Sequence, residues 1–192
     1  MPPSAHADMR LTYDDLEYFP EDGKRREIID GDLYVTPSPS LRHQVLVGRL
    51  HVAIANYLGG RPGIGHVFLS PLDVVLSPHD VVEPDLLFVG SNQLDVLRLT
   101  NVQGPPALVV EVLSPGTRKT DEQVKRRLFA RVGVREYWLA DPELDLIKVS
   151  RRDDHGSFRR VAELTVEDGD TLTSPLLPGF SLALSDLFKP EL

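Results

Sequence analysis

The chain has 192 residues, 41% hydrophobic and 26% charged, with a formal net charge of −8. This composition excludes wholesale disorder, and the acidic balance argues against coating nucleic acid or an anionic membrane by bulk charge. The absence of cysteine excludes disulfides, thiolate catalysis and Cys-type zinc centres, and no apolar stretch has signal-peptide or membrane-span character, so a soluble cytoplasmic protein is expected.

Residues 1–9 are small and polar and read as a disordered tail ahead of one domain over 10–192. Thr12, three residues before Asp15, opens a short helix anchored by Leu16 and Phe19 and ended by Pro20. Asp30-Gly31 between two short runs signals a hairpin, because glycine supplies the positive φ of a tight turn. Residues 38–58 carry the longest helical pattern, with Ser38 as cap and Pro39 at the first helical position. Leu41, Val45, Leu46, Leu50, Ile54, Tyr57 and Leu58 keep a 3.6-type spacing, and Gly59-Gly60 stops it.

The middle of the chain is rich in strands. Residues 67–70 and 72–76 form short β runs around Pro71, and Val81-Val82 with residues 86–89 form another, interrupted by Pro84. Residues 107–113 make a continuous apolar run with one acid, Glu111, which predicts a central strand buried on both faces. A second helix runs from Thr120 or Asp121 to Val132, followed by strands at 136–140, 144–150 and 158–164 and a proline-rich tail ending in a turn at 185–188. This order predicts an α+β, or mixed α/β, fold.

Two acids stand out by their setting. Asp85 begins the apolar strand Leu86-Leu87-Phe88-Val89, and Glu111 lies within an apolar strand. A carboxylate in such a run is costly unless paired or holding a cation. The plainer readings are a turn residue for Asp85 and an arginine-paired structural acid for Glu111. Brought side by side in a sheet, the two would make a hard-cation site for Mg²⁺ or Mn²⁺. The segment from Arg118 to Arg131 holds six basic residues and two acids, a local charge of +4. It is either a solvated helix with an Asp121–Lys125 pair or a phosphate-binding face.

Several stretches together resemble the Uma-two family, an endonuclease group of the PD-(D/E)XK nuclease superfamily. They are Arg26-Glu27-Ile28-Ile29-Asp30-Gly31, Arg42-His43-Gln44, Glu83-Pro84-Asp85-Leu86-Leu87-Phe88-Val89, Val109-Val110-Glu111-Val112-Leu113-Ser114-Pro115, Asp121 with Lys125, residues 133–138, and Pro175-Leu176-Leu177-Pro178-Gly179-Phe180. The resemblance implies a restriction-endonuclease-like mixed central sheet flanked by helices, with the site at a fork in the sheet. It implies that Asp85, Glu111 and the Val112 carbonyl hold one Mg²⁺ or Mn²⁺, with Glu27 and His43 nearby. It further implies DNA as the substrate, for which Arg118, Lys119 and Arg126 of the basic segment are the candidate contacts.

One departure matters. The superfamily places a lysine two residues after the second acid, where this chain has Leu113. Strand alternation puts Leu113 on the face of Glu111, and Lys125 from the following helix is the expected substitute. For Glu27 the plainer reading is an exposed strand residue, and for His43 a satisfied core histidine. The expected function is a metal-dependent DNA endonuclease, with a homodimer suited to cutting two strands. The alternatives are a non-catalytic nuclease-like binding or assembly module and a small-molecule phosphohydrolase.

Overall fold

The computed structural model describes residues 10–20 and 22–190, so the expected 1–9 tail lies outside the described residues. Thr12 leads into a 3-10 turn over Tyr13–Tyr18, and Asp15 Oδ2 accepts from the Thr12 N–H and hydroxyl at 2.7 and 2.8 Å. Strands β1 (Arg25–Ile29) and β2 (Asp32–Thr36) form the expected hairpin. Asp30 and Gly31 both take positive φ, 53° and 85°, as a two-residue turn of this hand requires.

Helix α1 spans Leu41–Gly59. Its cap is Ser40, whose hydroxyl accepts from the His43 N–H, and not the expected Ser38; Pro39 therefore precedes the helix. The buried face holds His43, Leu46, Val47, Leu50, Ile54 and Tyr57, whereas Leu41 is exposed despite its matching period.

Four strands follow: β3 (Gly65–Leu69), β4 (Val74–Ser77), β5 (Asp80–Val82) and β6 (Leu86–Gly90). The run interrupted by Pro84 is two strands in two different sheets, a correction to the sequence reading. Proline has no N–H to continue a ladder, so the chain changes sheets there. The two-residue strand β7 (Val102–Gln103) was not expected; β8 (Leu108–Val112) was. The second helix begins as a π-helical turn over Thr120–Lys125 and continues as α2 (Arg126–Val132). Gly133, at φ 103°, ends it in the left-handed conformation. The chain closes with β9 (Glu136–Asp141), β10 (Leu146–Arg152), β11 (Phe158–Thr165), the hairpin β12 (Thr171–Ser174) and β13 (Leu177–Ala183), and the short α3 (Leu184–Leu187).

The architecture is mixed α+β. A six-stranded sheet runs β11-β10-β9-β8-β6-β3, with β8 and β9 parallel and the other pairs antiparallel. A five-stranded sheet, β2-β1-β5-β4-β7, lies against it. Strand β8 is buried on both faces and divides the core. Leu108, Val110 and Val112 pack with Leu46, Leu50 and Ile54 of α1, while Val109 and Leu113 pack with Leu128 and Phe129 of α2 and with Ile29, Val74 and Val82 of the smaller sheet. Burying each such aliphatic side chain is worth about 1.5–3 kcal/mol. By alternation Glu111 faces the second of these layers, the only polar side chain of the strand.

Candidate active site

The site lies where the two sheets part. Glu83-Pro84-Asp85 carries the chain from β5 to β6. Extending the register one step beyond the Leu86–Val110 pair sets Asp85 opposite Glu111. The Asp85 N–H donates to Glu111 Oε2 at 3.3 Å, and the Val112 N–H donates to Asp85 Oδ2 at 2.9 Å. A strand residue's N–H and C=O leave by the same edge, so the Val112 carbonyl is also directed to this fork.

Three further elements reach in. From α1, His43 Nε2 lies 3.0 Å from Asp85 Oδ2. From β1, Arg25 sets Nη1 and Nη2 at 3.0 and 2.9 Å from Asp85 Oδ1, with Nη2 also 3.1 Å from Ser70 Oγ. Glu27 lies two residues on, on the same strand face, and accepts the Glu83 N–H at 2.9 Å. From the π-helical turn, Lys125 Nζ lies 2.8 Å from Glu27 Oε2, 2.9 Å from Glu111 Oε1 and 3.5 Å from Asp121 Oδ1. Single π turns recur at functional sites because they re-aim side chains within a helix. Here the turn points both Asp121 and Lys125 inward.

Glu27, Asp85, Glu111, Asp121 and Lys125 are all at least 98% buried. Four carboxylates thus face two fixed cations, Arg25 and Lys125, and the imbalance shows in their acidities. Burial raises Glu111 far above the usual carboxylate range; Lys125 opposes this, while Asp85, Asp121 and Glu27 reinforce it. Asp121 is raised for the same reasons. Burial also disfavours the Asp85 carboxylate, but His43, Arg25 and the Val112 N–H outweigh it and hold Asp85 well below its ordinary value. Burial alone would discharge Lys125, yet Glu111, Glu27 and Asp121 keep it firmly protonated.

This donor set fits a hard divalent cation. It combines two carboxylates, a backbone carbonyl and surplus buried negative charge that otherwise calls for a proton on Glu111. Among the described residues no group of three or more Asp, Glu or His side chains has metal-holding geometry. Mg²⁺ suits such a sparse set because it keeps several waters.

The site forms the head of a cleft of about 980 Å³, whose walls include Lys24, Arg25, Arg26, Arg42, Ser114 and Thr117. The structure therefore brings together Asp85, Glu111, Lys125, Glu27, His43 and Val112. It buries Glu27 to 1% exposure, which rules out the exposed-strand reading. Arg118, Lys119 and Arg126 do not line the cleft. Arg118 is paired with Asp141 and Glu143, Arg126 donates to the Phe158 carbonyl at 2.6 Å, and Lys119 is exposed. Tyr137 and Trp138 are fully buried core residues. Sequence reasoning did not select Arg25 for the site. A signal existed, since Arg25 and Glu27 alternate onto one face of a strand.

Comparison with known proteins bears on the fold and the family of the chain. A crystal structure of a "putative nuclease belonging to DUF820" from Anabaena variabilis superposes with a TM-score of 0.76 at 20% identity, covering 93% of this chain and 97% of that one. The two chains therefore share one fold. The type IIG restriction endonuclease BpuSI matches with a TM-score of only 0.37 at 18% identity, over 80% of this chain and 16% of its own. No functionally curated protein matches the chain. The model of one family, Uma2, described as "putative restriction endonuclease", matches residues 12–185, and the chain belongs to that family.

Proposed function

We propose that the protein is a divalent-metal-dependent endonuclease that hydrolyses phosphodiester bonds of DNA. The observation that carries this reading is the convergence of Asp85, Glu111 and Lys125 at the head of one cleft, in a surplus of buried carboxylate. Asp85, Glu111 and the Val112 carbonyl would hold Mg²⁺ or Mn²⁺. When bound, such an ion polarises the phosphoryl oxygen and lowers the pKa of an attacking water. His43 and the Val112 N–H fix the Asp85 carboxylate in one orientation. Lys125, anchored by Glu27, offers a permanent positive charge beside Glu111 to stabilise the charge that develops at phosphorus. Lys24, Arg26 and Arg42 bring positive charge to the cleft walls, where a phosphate backbone would compete with their partners Asp22 and Asp145. A homodimer would present two such sites to two strands, which light scattering of the purified protein tests.

The absence of a lysine at Leu113 favours a non-catalytic module, but the Lys125 ammonium supplies the missing charge from another element and supports catalysis. Plasmid incubated with protein and Mn²⁺ or Mg²⁺ is expected to be cut, with cleavage lost in Asp85→Ala and Glu111→Ala. Intact plasmid across varied metals and DNA substrates overturns the proposal.

A further inference from the structure

Arg25 has no role in the reading above, yet it makes the closest cationic contact to Asp85. Its two terminal nitrogens share Asp85 Oδ1, and Nη2 also meets Ser70 Oγ. The two oxygens of Asp85 are held differently. Oδ2 is fixed by a backbone N–H and by His43, both anchored in buried elements. Oδ1 is held by the guanidinium, whose side chain is 19% exposed against 3% for Asp85. Arg25 is thus the partner that faces the cleft and has room to move.

We propose that Arg25 is an internal counter-cation: it covers Asp85 Oδ1 in the metal-free protein, leaves that oxygen when a divalent cation binds, and then engages a backbone phosphate of DNA in the cleft. This rests on the metal-dependent reading given above. Electrostatics favours the first part, because a guanidinium and a divalent ion repel each other and both nitrogens of Arg25 occupy the one Asp85 oxygen not already held by His43 and the Val112 N–H. Without a cation, Asp85 would be a buried carboxylate lacking a charge partner on that side, so the guanidinium keeps the site organised before metal arrives. The second part follows from the chemistry of the group. A guanidinium is always charged and its planar fork matches two oxygens of a phosphate as well as it matches a carboxylate. The Arg25 side chain already lines the cleft, and its neighbours on that wall, Lys24 and Arg26, are also cationic.

A merely structural ion pair and a competitor respond oppositely to removal of the arginine. Mn²⁺ titrated calorimetrically into wild type, Arg25→Gln, Arg25→Lys and Asp85→Asn separates them. Wild type is expected to bind and Asp85→Asn to lose that binding, while Arg25→Gln binds about tenfold or more tightly than wild type, since a competing charged hydrogen bond is gone. Arg25→Gln should also bind a short DNA duplex in Ca²⁺ roughly tenfold more weakly, for loss of one charge-assisted phosphate contact. Equal or weaker Mn²⁺ affinity in Arg25→Gln, with Asp85-dependent binding in wild type, overturns the competition and leaves the metal-dependent reading standing. Unchanged duplex affinity overturns the transfer to phosphate. Wild type without Asp85-dependent Mn²⁺ binding overturns both the metal-dependent reading and this inference. If Arg25→Gln does not fold, Arg25→Lys decides, because a single ammonium cannot reproduce the two-nitrogen contact and should raise Mn²⁺ affinity; no rise overturns the competition.

Discussion

Lys125 Nζ lies 2.9 Å from Glu111 Oε1, although the two residues are 14 apart in sequence and on different elements. Leu113, where the superfamily pattern has lysine, packs with Leu128 and Phe129 in the core. The π-helical turn thus aims Lys125 at Glu111 from a helix, and the proposed charge-stabilising role of the ammonium rests on that contact. Lys125→Met is expected to leave Glu27, Glu111 and Asp121 buried without their cation. Breaking one buried pair costs about 3–5 kcal/mol, so chemical denaturation should show a loss of that order. A stability equal to wild type would mean that the ammonium contributes no net stabilisation to the cluster.

His43 connects the long helix to the site through one bond, Nε2 to Asp85 Oδ2 at 3.0 Å. Among the described residues its buried Nδ1 meets no hydrogen-bond partner, and the ring's hydrogen bond is the one to Asp85. Partners that orient a metal-binding carboxylate typically matter by about 10- to 100-fold in affinity or activity. His43→Leu should reduce Mn²⁺ affinity and cleavage by that factor, and His43→Gln, which can still donate, by less. Equal losses in both variants would show that packing, and not the hydrogen bond, sets the effect.

Asp141 is fully buried at the end of β9, and its carboxylate accepts from Arg118 and from the N–H groups of Glu143 and Leu144. Burial disfavours its charge, but Arg118 and the two N–H groups outweigh this and lower its pKa below 3.8. A folded-state value below the unfolded one contributes stability above about pH 3.8 that disappears as pH falls through the folded value. Asp141→Asn should therefore cost about 1–3 kcal/mol at neutral pH. The difference from wild type should shrink as the pH is lowered below 3.8, read from urea unfolding at stepped pH; a constant difference would contradict the assignment.

Much of the site was legible because an acid inside an apolar strand has few explanations. Asp85 and Glu111 announced themselves this way, and their pairing needed only adjacent strands. The basic segment was less legible, because a local charge of +4 says nothing about partners far along the chain. Arg118 meets Asp141 and Glu143, and Arg131 meets Asp30 and Asp80, so much of that charge is neutralised within the fold. Arg25 was obscured by its neighbours: in Lys24-Arg25-Arg26 it looks like a solvated charge until the β1–β5 pairing turns its face toward Asp85. The second sheet was hidden for a related reason. Residues 81–89 read as one interrupted strand, and only long-range pairing shows that Pro84 divides two sheets.

The start of α1 gives a test that separates sequence pattern from structure. Ser38 followed by Pro39 fits the usual cap, but the helix begins at Leu41 and Ser40 Oγ accepts the His43 N–H at 3.2 Å. Replacing a capping serine with alanine costs about 1 kcal/mol. Ser40→Ala should therefore lower the urea midpoint by a corresponding amount, whereas Ser38→Ala, at an exposed position before the helix, should stay within about 0.5 kcal/mol of wild type. Because the capped N–H belongs to His43 itself, loosening this turn also frees the ring that holds Asp85. Ser40→Ala should thus weaken Mn²⁺ binding in the same direction as His43→Leu, but less. The reverse ranking of the two serine variants in unfolding would place the helix start at Ser38 and remove the cap from the support of the site.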